Sequence, residues 1–184
     1  MVSGIIIIAG LVILAIVLVG IYNKLVRCRN MVAEGWSGID VQLKRRSNLI
    51  PNLIESVKGY MGHESKLLAE VTQLRSQSKS TQAVADKSQV ETALTRSLGN
   101  LVAVAESYPD LKANQNFLDL QDELAQIEDD IQMARRYYNG TVRDLNIMIE
   151  AFPSNLVAGR FGFTKAEFFE IESPKDRAVP EVKF

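Results

Sequence analysis

The apolar residues of this chain fall into two kinds of pattern. Residues 5 to 21, IIIIAGLVILAIVLVGI, are unbroken by any charge or strong polar group. With Met1–Gly4 and Tyr22 the stretch is about 22 residues, roughly 33 Å as a helix, which matches the hydrocarbon thickness of a bilayer. Such a run leaves no polar face to offer water, so a buried core helix of a soluble domain is the weaker reading. Beyond residue 31 the pattern becomes amphipathic. Val32, Trp36, Ile39, Leu43, Ile50, Ile54, Val57 and Met61 recur mostly at steps of three and four, with Arg46 interrupting the stripe. Pro51 falls inside it, which predicts a kinked but continuous helix, with the carbonyl freed near residue 47 satisfied by the amide of Asn48 or Asn52.

Three more segments follow. Residues 64 to 79 carry Leu67, Leu68, Val71 and Leu74, and the polar run 76 to 82 reads as a loop. Residues 83 to 107 carry Val90, Leu94, Leu98, Leu101, Val102 and Ala105, ending before Pro109. From Phe117 the stripe runs Leu120, Leu124, Ile127, Ile131, Ala134, Tyr138, Val142, Leu145 and Ile149. That is nearly a heptad seam, with Asn114 as its N-cap and an end at Phe152-Pro153. The expected fold class is all-α: an N-terminal transmembrane helix, then an antiparallel up-down four-helix bundle with long, kinked helices. Four regions follow: residues 1–22 as anchor, 23–152 as bundle, 153–172 as an aromatic segment capping the bundle or lying near the membrane, and 173–184 as a flexible tail.

Charge refines this picture. No Lys or Arg precedes the apolar run, whereas Lys24, Arg27 and Arg29 follow it. That excess places the N-terminus outside and the bundle in the cytoplasm, as a single-pass protein of the inner (cytoplasmic) membrane. The flank has neither the small-x-small site of a cleaved signal peptide nor small residues before Cys28, so a retained anchor is expected. Tyr22, Lys24, Arg27 and Arg29 are the expected membrane-interface residues, with lipid held through residues 5–21. Further along, Lys44, Arg45, Arg46 and Lys58 are opposed in sign by the acidic stretch 119 to 130. In an up-down bundle the distal first helix faces the start of the fourth, so basic residues meet acidic ones.

Candidate chemistry adds little. The net charge of −1 gives no reason to expect nucleic acid, and one histidine with one cysteine assembles no zinc or di-iron ligand set. No phosphate loop or nucleophile motif is present, so neither enzyme activity nor a cofactor is expected. Cys28 is juxtamembrane and open to palmitoylation. Candidate interaction residues are Trp36, the patch Arg135, Arg136 and Tyr137, and the aromatic pair Phe168 and Phe169. Pro51 is a candidate hinge.

Three strings resemble one family in order and spacing: YNKLVRCRNMVAEGWSGIDVQLKRRSNLIPNLIESVKGYMGHES (22 to 65), ARRYYNGTVRDLNIMIEAFPSNLVAG (134 to 159) and FGFTKAEFFE (161 to 170). With the apolar N-terminus they closely resemble the LemA family of bacterial membrane proteins. Gly35, where alanine is expected, and Asn48, where aspartate is common, are small departures. The resemblance implies a helical bundle on one transmembrane helix, without catalytic residues. The expected function is therefore a membrane-anchored scaffold or adaptor, self-assembled or bound to another membrane protein. The alternative is a sensor or regulator signalling through Pro51.

Overall fold

The computed structural model describes residues 2–61 and 64–170. Among them every regular element is helical: α1 (Val2–Lys58), α2 (Ser65–Ser80), α3 (Val84–Ala105), α4 (Pro109–Lys112), α5 (Gln115–Glu150) and α6 (Ser154–Arg160). His63 and the expected tail 173–184 lie outside the described residues, as do the last two residues of the aromatic segment.

α1 carries the apolar run and the first amphipathic stripe in one unbroken element that passes through Pro51. The side chains of the run are exposed from Ile5 to Gly20 and Ile21 is half-buried, whereas Ile39, Leu43, Ile50, Val57 and Met61 are buried. α5 begins as its cap requires, with the Phe117 amide donating to Asn114 Oδ1 at 3.2 Å. Its seam is buried at Phe117, Leu124, Ile127, Ile131, Tyr138, Val142 and Leu145.

One expected loop is helix. Residues 76 to 80 belong to α2, and only residues 81 to 83 join it to α3. The polar run stays helical because its hydroxyls bond back to the preceding turn: Ser80 Oγ and Thr81 Oγ1 donate to the Gln77 carbonyl at 3.0 and 2.8 Å.

The chain divides into two compact units. Among the described residues, the first comprises residues 2–39 and 134–167, and the second residues 40–61, 64–133 and 168–170. The boundaries between the units fall within α1 and within α5. In the first unit, Gly35 lets α1 approach α5 closely: a Cβ there would lie 3.1 Å from the Tyr138 Cα. In the second unit the core is aliphatic, with Leu53, Leu98, Leu101 and Leu111 fully or almost fully buried, together with Phe117 and Phe169.

Candidate functional site

In the first unit, the segment after α5 folds back on the foot of α1. Leu25, at the first turn past the apolar run, packs with Val157 and Ala158 of α6, flanked by Ile21, Met148, Ile149 and Phe163. Tyr22 meets Phe161 and Phe163 with ring centroids 4.9 and 5.9 Å away. The Arg29 guanidinium stands over the Phe163 ring at 5.3 Å, a cation–π geometry. After α6 the chain runs along α5. Asn146 holds Ala166 through both backbone groups, donating to its carbonyl at 3.0 Å and accepting from its amide at 2.9 Å. Tyr138 Oη donates to the Glu167 carbonyl at 2.9 Å, and Lys165 pairs with Glu150. Burial, then the nearby Glu167 charge, raises the Tyr138 pKa above its ordinary 10.0.

The sequence-derived residues of this unit fall in three places. Tyr22 and Arg29 join the aromatic cluster at the foot of α1, while Lys24 and Arg27 are exposed on the same helix. Tyr137 and Arg27 line one groove, with Asn23, Asn30, Met31 and Glu34. Trp36 is half-buried with its ring centroid 5.6 Å from that of Tyr138, Arg135 is half-buried, and Arg136 is exposed. Cys28 is half-buried.

The second unit holds a buried ionic cluster. Arg46, the residue that interrupts the first stripe, is 1% exposed and donates to Glu91 of α3 and Glu128 of α5. It also donates to Thr95 Oγ1 at 2.6 Å, and Ser78 Oγ of α2 donates to Glu91 Oε1 at 2.5 Å. Beside it, Arg45 and Asp130 form an exposed pair at 3.1 Å. The expected meeting of basic α1 with acidic α5 is realised here. Sequence reasoning passed over Glu91 and Ser78. Glu91 lies at helical spacing from Leu94 and Leu98, so the buried face of α3 carries a carboxylate, whose available signal was the equally misplaced Arg46.

Pro51 is exposed, and the carbonyl that it deprives of an amide is answered from another helix. Arg75 Nε of α2 donates to the Ser47 carbonyl at 2.6 Å, in place of the expected Asn48 or Asn52 amide. Phe169 is fully buried in this unit and Phe168 is 39% exposed. Tyr108 Oη donates to Glu64 at 2.7 Å, and this bond to a carboxylate raises its pKa above 10.0. Among the described residues, no three His, Cys, Asp or Glu side chains converge as a metal site.

The sequence pattern of the LemA family matches residues 35–184. The chain belongs to the LemA family. This member is 31% identical to Protein LemA of Metamycoplasma hominis over 159 residues, 84% of this chain and 71% of that protein. It is also similar to two magnetosome proteins. Identity to MamQ 2 of Paramagnetospirillum magneticum is 33% over 82 residues, 45% of this chain and only 30% of the relative. Identity to MamQ of Magnetospirillum gryphiswaldense is 21% over 184 residues, 86% of this chain and 68% of the relative. The family match begins at Gly35, so the apolar run of this LemA protein lies outside it.

Proposed function

We propose that this LemA protein is a non-enzymatic, single-span membrane protein that presents a helical scaffold or adaptor to the cytoplasm and assembles with itself or with another membrane protein. The observation that carries the reading is the apolar run of α1. It is a helix long and apolar enough to cross a membrane, and none of its most apolar stretch is buried. Side chains of this kind gain roughly 25 cal/mol per Å² on leaving water. Nothing in the described chain supplies that shelter, and a bilayer does. Lys24, Arg27 and Arg29 then fall at the headgroups and set the cytoplasmic side.

The scaffold reading is supported by how the second unit is tied together. Parts of α1, α2, α3 and α5 are cross-linked by Arg46, Ser78 and Arg75, which supports reading them as an antiparallel four-helix bundle. Most of its polar centre is taken up by internal bonds, with Arg46 Nε and Ser47 Oγ left over, which suits a structural body better than a reacting site. Arg136, Tyr137 and Phe168 remain exposed for partners. Native mass of the full chain in mild detergent tests assembly. A defined oligomer or a stable complex with a second membrane protein is expected. A monodisperse monomer that captures no partner would contradict it.

A second reading, regulation through a Pro51 hinge, is favoured by the Arg75–Ser47 bond. A side chain that replaces a helical hydrogen bond can let go without unfolding the helix. Hydrogen exchange is then faster in residues 47–55 than in neighbouring turns, and Pro51→Ala slows it. Equal protection throughout would remove the hinge.

A further inference from the structure

α6 buries one apolar face and leaves the other largely exposed. Ser154, Val157 and Ala158 are buried, Val157 and Ala158 against Leu25. On the other side Leu156 is 64% exposed, and the flanking Phe152 and Phe161 are 80% and 62% exposed. Contiguous large apolar side chains left open in this way mark a contact surface.

What covers that surface is indicated by its neighbours. Leu156, Val157, Arg160 and Phe161 line one groove of about 270 Å³ together with Leu18 and Val19. Leu18 and Val19 belong to the apolar run, two or three residues short of its end at Ile21. At ~1.5 Å per residue they lie roughly 3–5 Å inside the hydrocarbon edge if residues 5–21 span the bilayer. Side chains that share a groove with them share that depth. We propose that α6 is a second, half-inserted membrane element, with Leu156 and Phe161 in the acyl layer of the cytoplasmic leaflet and Arg160 at the phosphate level. An insertion of about 5–10 Å is the usual depth of an interfacial helix. The long Arg160 side chain is exposed and free to snorkel from an apolar base to a phosphate. The inference rests on the anchored reading and adds to it. The protein holds the membrane by a span and by a wedge beside it, so that residues 152–161 fix the first unit against the surface.

The test uses the full chain with Cys28→Ser in phosphatidylcholine–phosphatidylglycerol vesicles. A nitroxide is attached at Leu156→Cys, and, in separate samples, at Val19→Cys and Val41→Cys. All three sites are exposed, so the labels displace no core packing. Oxygen partitions into lipid and a nickel chelate into water. The labels at 19 and 156 should both favour collisions with oxygen, and the label at 41 should favour nickel. A label at 156 that follows 41 while 19 stays in lipid would overturn the wedge and leave the anchor standing. Both 19 and 156 in water would overturn the anchor itself. A label at 156 shielded from both reagents, with dipolar broadening, would mean that a second copy of the chain covers α6, and would equally overturn the wedge.

Discussion

Arg46 shows how far a single side chain can mislead a reading by hydrophobic pattern. It interrupts a stripe, yet it is among the most buried residues of the protein, because Glu91, Glu128 and Thr95 take its guanidinium. Breaking one member of such a buried ionic group costs about 3–5 kcal/mol, since the remaining charges stay desolvated. Arg46→Met should therefore lower stability by that amount in denaturant unfolding followed by circular dichroism. Replacing Arg46, Glu91 and Glu128 together by Met, Leu and Leu should recover most of it. A single variant as stable as the parent would show that the cluster is not buried in solution. The tyrosines give a pH signature. Tyr138 and Tyr108 have folded pKa values above 10.0, so their phenols ionise more readily in the unfolded chain. Their stabilisation is complete below about pH 10 and is lost as pH rises through the folded values. Tyr138→Phe should flatten the alkaline fall in melting temperature; an unchanged slope would contradict its burial. At this scale the sequence spoke through periodicity alone. It revealed Asn114 as a cap and most of the buried seam, but Glu91 and Ser78 are polar residues on a buried face, which a hydrophobic stripe cannot show.

The elements were legible where apolar spacing and punctuation agree. α5 starts at its cap and stops before Pro153, and α1 keeps its phase through Pro51. The short helices α4 and α6 were not anticipated, and the last turn of α2, expected as loop, is built from serines whose helix is held by hydroxyl bonds to the backbone and by Ser78 reaching Glu91. The expected source of the bond to the Ser47 carbonyl was local, whereas Arg75 supplies it from 28 residues away. Such a long-range partner has no local signature. A double-mutant cycle follows. Pro51→Ala restores the backbone amide that bonds Ser47 and should raise the melting temperature. Arg75→Met should cost about 1–3 kcal/mol in the parent and much less beside Pro51→Ala. Equal costs in both backgrounds would show that Arg75 does not stand in for the missing amide. Asn114→Ala should cost about 1 kcal/mol through the lost cap, read in the same unfolding experiment. An unchanged midpoint would rule the cap out as a contributor.

For the whole molecule, the pairing of basic α1 with acidic α5 followed from composition along the chain, and family membership followed from three strings in order. The fold-back of residues 152–163 onto the foot of α1 was legible only as an aromatic segment either capping the bundle or lying near the membrane. Ring contacts with Tyr22 select it. Joined to the apolar run, these features support the proposal of a protein organised around one membrane surface, and that proposal has a direct test. Ser3→Cys and Val41→Cys, each in the Cys28→Ser background, are treated in spheroplasts with a membrane-impermeant maleimide. The protein should stay in the membrane fraction, with Ser3→Cys labelled in intact spheroplasts and Val41→Cys labelled only after lysis. Labelling of Val41→Cys from outside, or recovery of the protein in the soluble fraction, would contradict the proposal.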